Sequence, residues 1–404
     1  MNANARFADV DYLLDGFDHV ETRDDLRARL ALGRPLNVKL GIDPTSPDLH
    51  LGFMVVLEKL QRFAGAGHQV TWIIGDYTAR IGDPSGKNVT RPQLSREEIE
   101  ANMQTYRRQA AKVLDLERIT VRYNSEWLAE LDFADLVQLL GKTTVAQMLE
   151  RNDFQNRYTS GTPISLHEFL YPVAQAYDSI AVEADVELGG SDQLFNLLLG
   201  RHYQREYGQP PQICATVPLL VGLDGQKKMS KSLGNYVGVD EAPSEQFGKL
   251  MKIDDALIAV YARLAAFRSQ ADSDRLAADL AAARANPMEE KKRLAEEIVA
   301  RYHGTAAARG AREHFERTVQ RKEMPAGDLP EIDASGCTRV AEVLVKAGFA
   351  EGRRAAERLI SGMGVRVDGI VVDDPRALWT AAAPAVLAVG SRKFVRVLTA
   401  EKRP

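Results

Sequence analysis

Residues Leu36 to Ile42 place apolar side chains at Leu36, Val38, Leu40 and Ile42, the period-two pattern of a strand. A loop containing Pro and Asp follows. A helical pattern then runs through Val55, Val56, Leu60 and Phe63, with Gly65 and Gly67 expected to stop it. Val70-Thr71-Trp72-Ile73-Ile74 reads as a second, largely buried strand. Two strands joined through a helix cannot close as a hairpin, so the second must lie parallel to the first. This βαβ unit predicts an α/β fold with a doubly wound parallel sheet across roughly the first half of the chain. Ile119 to Tyr123, Ala184 to Leu188 and Ile213 to Val221 read as further strands.

The second half has a different texture. It becomes Ala-rich and helical, with Ser273 expected to cap a helix through Leu276, Leu280 and Ala283 that Asn286-Pro287 breaks. The next helix begins near Pro287, carries Glu289 and Glu290 in its first turn, and shows Leu294, Ile298 and Tyr302 on one face before Gly304. Met324 to Pro330 reads as a linker. Beyond it come a short helix at Val340, Val343 and Leu344 and a second from Arg353 to Ile360, closed by Gly362 and Gly364. A hairpin follows over Val365 to Val372 with an Asp368-Gly369 turn, then a last strand at Phe394 to Val397. This tail is basic, with Arg353, Arg354, Arg358, Arg366, Arg392, Lys393 and Arg396.

At 404 residues the chain exceeds one ordinary core, so two or three domains are expected. A net charge of -4 means that nucleic-acid contact must come from local patches rather than the average field. Cys214 and Cys337 stand far apart without a C-x-x-C partner, which predicts reduced thiols and no zinc or disulfide. No secretory signal and no apolar run of membrane-spanning length is visible, so a cytoplasmic protein without a membrane partner is expected.

The chemistry concentrates in two loops. Lys228-Met229-Ser230-Lys231-Ser232-Leu233-Gly234-Asn235 follows an Asp224-Gly225 turn and offers flexible point charges to phosphate oxygens. Far upstream, Asp43-Pro44-Thr45-Ser46-Pro47-Asp48-Leu49-His50-Leu51-Gly52-Phe53 puts His50 where a strand's loop becomes a helix, an anion-favouring place. Gly52 leaves room for a ring or sugar beside the backbone. Alone, each reads as a helix-capping His or a solvated basic loop. Together they describe two small-residue loops able to close on one polyphosphate.

Tyr171, Gln175 and Asp178 recur at i, i+4 and i+7 and so share one helix face. By itself this is a partly buried polar stripe. The Gly189-Gly190-Ser191-Asp192-Gln193 turn permits close backbone approach after a strand. His167-Glu168 is no metalloprotease motif, because Tyr171 stands where the second ligand is needed. Gly82-Asp83-Pro84-Ser85-Gly86-Lys87 lacks the spacing of a Walker loop, and no resident metal site is expected.

With these motifs in combination the chain resembles the class I aminoacyl-tRNA synthetases, and more closely the bacterial tyrosyl-tRNA synthetases, over essentially its whole length. The resemblance implies a Rossmann-like catalytic domain at 1–235, an α-helical anticodon-binding domain at 236–323, a linker at 324–337 and a small α+β RNA-binding domain at 338–404. It implies activation of L-tyrosine by ATP to tyrosyl-adenylate and pyrophosphate, then transfer to the 3′ end of tRNA(Tyr). Thr45 and His50 would meet the departing phosphates, with Lys228 and Lys231 closing over them and Mg2+ arriving with the ATP. The rest of the ATP would lie against Gly52, Gly190, Asp192, Leu220 and Val221. Tyrosine would be held by Asp43, Asp83, Tyr171, Gln175 and Gln193, with Asp178 accepting from the phenol hydroxyl.

By the same resemblance, Arg353, Arg354 and Arg358 would rest on tRNA phosphates. Gln147, Arg151, Arg157 and Tyr158 would follow a segment that sits near a homodimer interface and the acceptor stem. Two positions depart from the pattern: Phe53 replaces the second His of many relatives, and Lys39 stands where better-known members have Tyr. The competing readings are a tryptophanyl-tRNA synthetase, an RNA-binding protein that kept the synthetase body without its activity, and a small-metabolite adenylyltransferase.

Overall fold

The computed structural model describes residues 6–84, 95–320, 329–381, 384–390 and 393–398. Ser85, Gly86 and Lys87 of the Gly82 motif, Arg392, and most of the Met324–Pro330 stretch lie outside the described residues. The chain forms two compact units, Met1–Thr305 and Ala306–Pro404.

The first unit is built on six strands: β1 (His19–Glu21), β2 (Asn37–Ile42), β3 (Gln69–Ile74), β4 (Ile119–Tyr123), β5 (Val186–Gly190) and β6 (Ile213–Val217). Their spatial order is β1-β6-β5-β2-β3-β4. All pairs are parallel except β1 with β6. Val38, Lys39 and Leu40 are buried in succession, so both faces of β2 are covered, as a parallel sheet requires. The chain runs outward from β2 through β3 to β4, then returns to place β5 on the other side of β2. That reversal opens a crevice at the carboxyl ends of β2 and β5, where open α/β sheets bind ligands.

Helix α1 (Leu51–Ala66) packs on β2, β3 and β5, while α2 (Phe133–Leu140), α3 (Leu170–Ala181) and α4 (Leu194–Glu206) belong to the segments around β5. Within the same unit, α5 (Pro243–Leu250), α6 (Ile258–Leu264), α7 (Gln270–Ala281) and α8 (Pro287–His303) form the helical part. Among the described residues no helix is long and apolar enough to cross a membrane.

Several boundaries move. Strand β6 ends at Val217 rather than Val221, because Pro218 has no N–H to continue the ladder. Strand β5 starts at Val186 and runs through Gly190, while Asp185 just before it is held by Arg29 and Arg34. Gly65 lies inside α1, and Gly67 alone closes that helix, with φ 98° in the left-handed region. Ser269, not Ser273, caps α7: its hydroxyl accepts from the Asp272 N–H, and Ser273 is buried one turn inside. The helix ends at Ala281, short of Ala283.

The second unit carries β7 (Glu331–Asp333), α9 (Val340–Lys346), α10 (Arg353–Ser361), β8 (Val365–Val367), β9 (Ile370–Val372), β10 (Ala385–Val389) and β11 (Lys393–Leu398). The sheet order is β7-β11-β10-β8-β9. Val343, Leu344, Ile360, Val365, Leu387 and Val397 form its core. Asp368 and Gly369 adopt φ 47° and 84°, the two positive values that a tight hairpin turn demands.

Candidate functional site

A cavity of about 390 Å³ opens at the carboxyl ends of the central strands. It is lined by Asp43, Thr45, His50, Gly52, Phe53, Asp83, Tyr171, Gln175, Asp178, Gly190, Asp192, Gln193, Leu220 and Lys228. Residues scattered over the first 228 positions thus meet in one place, because every one follows a strand end or sits on a helix that flanks the crevice.

One end is a polar pocket. Tyr171 Oη donates to Asp43 Oδ2 at 2.9 Å, and Thr78 Oγ1 donates to Asp43 Oδ1 at 2.7 Å. Gly75 makes room for that carboxylate, since a Cβ there would fall 2.0 Å from Asp43 Oδ1. Asp178 is only 3% exposed and accepts from Trp127 Nε1 at 2.8 Å and Asn124 Nδ2 at 3.4 Å. Burial pushes its carboxyl up to about 7, against the pull of the Lys39 ammonium and those two donors. Gln193 Nε2 donates to Asp83 Oδ2, and Arg151 reaches both Asp83 and Asn196. Asn196 Nδ2 in turn donates to the amide oxygens of Gln175 and Gln193.

The other end is cationic. His50 is the residue before α1, yet its ring makes no capping bond; Nδ1 is buried without a hydrogen-bond partner. The ring lies 4.5 Å from that of Phe53, and a Cβ on Gly52 would press to 3.0 Å from it. Burial, with the ammoniums of Lys231 and Lys228 nearby, pulls His50 down to about 3. It is therefore a neutral hydrogen-bonding group at pH 7, not a cation. Lys228 Nζ meets Asp192 Oδ2 at 2.6 Å.

Two expected residues stand apart from the cavity wall. Lys231 bridges to the facing loop, donating to Ser46 Oγ at 3.0 Å and lying 3.4 Å from Asp48. Val221 faces elsewhere, and its carbonyl accepts from Tyr261 Oη on α6 at 2.6 Å. The lysine loop is fixed by Asn235, whose Oδ1 accepts from the Ser230 N–H and whose Nδ2 donates to Asp224 Oδ2. Arg353, Arg354 and Arg358 belong to the second unit, exposed on α10.

Sequence reasoning missed Thr78, Asn124, Trp127, Asn196 and Glu187. The available signals were positional: Asn124 directly follows β4, and Asn196 lies three residues after Gln193 on the next helical turn.

The family model for tRNA synthetases class I (W and Y) matches residues 31–320, and that for the S4 domain matches residues 338–377. The tyrosine–tRNA ligase of Ralstonia nicotianae is 50% identical over 379 residues, covering 94% of this chain and 96% of the relative. That of Cupriavidus pinatubonensis is 53% identical over 371 residues, covering 92% and 89%. The fold resembles the tyrosyl-tRNA synthetase of Archaeoglobus fulgidus complexed with L-tyrosine, with a TM-score of 0.64, 22% identity, and coverage of 77% of this chain and 100% of that one. The family model spans both the tryptophan and tyrosine enzymes, and the relatives decide between them. The chain belongs to the tyrosine–tRNA ligases of class I.

Proposed function

We propose that this ligase forms tyrosyl-adenylate in the cavity described above, with the polar pocket taking tyrosine and the cationic end taking ATP. The observation that carries this reading is the continuity of the two ends: Asp192 and Gln193 stand next to each other, one tied to Lys228 and the other to Asp83. Asp178 accepts a hydrogen bond from the phenol hydroxyl. Tyr171, Gln175, Asp83 and Asp43 surround the ammonium group, and Gln193 lies toward the carboxylate. Gly52, Gly190, Asp192 and Leu220 line the nucleoside, with Val221 behind them.

The tyrosine carboxylate oxygen attacks the α-phosphorus, and the bond to pyrophosphate breaks in line. Charge grows on the departing phosphates, where Lys228, Lys231, Thr45 and neutral His50 are placed to donate. Magnesium brought by ATP would share that charge through phosphate oxygens and water. Among the described residues no group of three carboxylate, His or Cys ligands is gathered to hold the ion. The tRNA 3′ ribose hydroxyl then attacks the activated carbonyl and AMP leaves. No covalent enzyme intermediate enters, so catalysis is positioning plus electrostatics.

The tRNA is assigned to exposed Arg353, Arg354 and Arg358 and to helices of an anticodon-binding domain at 236–323. The catalytic domain is assigned to 1–235, the linker to 324–337 and the RNA-binding domain to 338–404. The two cysteines, Cys214 and Cys337, are free thiols, which suits work in the cytoplasm.

The working form is a homodimer in this reading. Phe133, Val137 and Leu140 lie at i, i+4 and i+7 on α2 and are 81%, 54% and 36% exposed, an apolar face that a second copy would cover. Sedimentation of Phe133→Glu should give a monomer where the parent chain gives a dimer; a parent chain that sediments as a monomer contradicts the assignment.

Equilibrium binding of tyrosine without ATP tests the division of the cavity. The expected result is one tyrosine per chain, weakened by about tenfold or more in Asp178→Ala and within about twofold of the parent in Lys231→Ala. Equal losses in both variants would contradict it.

A further inference from the structure

Beneath the pocket lies an ion pair whose two residues are not themselves part of the cavity wall. Lys39 on β2 and Glu187 on β5 are register partners in the sheet, and their side chains meet at 3.0 Å with both 1% exposed. Glu187 Oε1 also accepts from Gln175 Nε2 at 3.0 Å. Its Oε2 accepts from Ser179 Oγ at 3.2 Å and from Gln212 Nε2. Lys39 Nζ donates to the main-chain oxygen of Gln175 at 3.2 Å. Gly200 on α4 admits the cluster, since a Cβ there would lie 2.7 Å from Gln212 Nε2 and 2.8 Å from Ser179 Oγ.

A carboxylate carries no proton, so the amide atom of Gln175 that faces Glu187 must be its NH2. The amide oxygen is then forced to the other side, where it accepts from Asn196 at 2.9 Å with a second lone pair to offer. A neutral partner in place of Glu187 would dictate neither end. Lys39 supplies the counter-charge that a carboxylate at this depth requires, and it grips the Gln175 backbone as well.

We propose that the buried Lys39–Glu187 pair is a positioning device for the tyrosine ammonium group, acting through Gln175. It rests on the assignment of Gln175 to that ammonium. The pair never meets the substrate; it holds the NH2 end of the Gln175 amide, as Asn196, fixed by Arg151, holds the oxygen end that the substrate meets.

The test uses two inhibitors of tyrosine-dependent pyrophosphate exchange. Tyramine keeps the ammonium and lacks the carboxylate, whereas 3-(4-hydroxyphenyl)propionate has the reverse. In Glu187→Gln, and in the uncharged double variant Lys39→Met with Glu187→Met, KM for tyrosine and Ki for tyramine should rise about tenfold or more. The Ki of the propionate, which shares the phenol at Asp178 and so reports any common change there, should rise at least about tenfold less than that of tyramine, and KM for ATP should stay within about twofold. The double variant removes both charges of the pair together, whereas the single variant leaves the Lys39 ammonium without its carboxylate. Equal weakening of both inhibitors, or no weakening of tyramine, overturns the proposal. Gln175→Met separates the two layers. If it leaves tyramine unaffected, the ammonium assignment itself fails; if it weakens tyramine while the charge variants do not, only the positioning role fails.

Discussion

Replacing Lys231 with alanine is expected to slow tyrosyl-adenylate formation by on the order of 10² to 10³, with tyrosine affinity within about twofold of the parent. The reason lies in where its charge sits. Lys231 already spans the gap between the two loops, with its ammonium at Ser46 and Asp48 of the facing loop. Burial lowers its affinity for a proton, and Asp48 opposes that. An ammonium stripped of part of its water gains when phosphate charge develops beside it, and little before that. Lys228 is held by Asp192 at 2.6 Å and must exchange that partner for a phosphate, so Lys228→Ala should cost less. Single-turnover measurement of adenylate formation decides. A rise in tyrosine KM with an unchanged rate would assign Lys231 to ground-state binding instead.

Asp178→Asn should remove most of the preference for tyrosine over phenylalanine, by on the order of 10² in the ratio of kcat/KM values. The parent site offers a buried carboxylate already oriented by Trp127 and Asn124, and phenylalanine leaves it without its third hydrogen-bond partner. An asparagine at 178 is neutral and costs far less to leave unfilled. A pH dependence follows from the same burial. With the Asp178 carboxyl raised to about 7, the anionic acceptor forms as pH rises through that value. The groups that face it are Lys39 and Glu187 from the sheet and Trp127 and Asn124 from the segment after β4. Selectivity measured as a kcat/KM ratio should therefore climb between about pH 6 and 8 and be flat in Asp178→Asn. A flat profile in the parent would remove Asp178 from phenol recognition.

What the sequence disclosed and what it hid follow from distance along the chain. The βαβ unit was readable because apolar residues alternate along β2 and run nearly continuously in β3, with a helical pattern between them. Asp43 and His50 were readable because each lies within a few residues of a strand end or helix start, and the lysine loop by its own residue order. Asp178 was readable by its helical spacing from Tyr171 and Gln175, but its partners Asn124 and Trp127 come from a different strand's exit, which only the sheet order reveals. Lys39 stood out in the sequence only as a departure from the Tyr of better-known relatives; its burial at 1% exposure, with Glu187 brought to it by β5, needs the sheet order. The cap of α7 is Ser269 rather than the expected Ser273, because Asp272 at the third position after Ser269 shares the turn with it.

The amino acid that fills the polar pocket defines what this enzyme charges. ATP–pyrophosphate exchange by the full chain, run separately with each of the twenty amino acids, measures that. Stimulation by tyrosine, with phenylalanine and tryptophan at least about a hundredfold weaker in kcat/KM, is the predicted result. Equal or greater stimulation by tryptophan, or exchange that needs no amino acid, would contradict it.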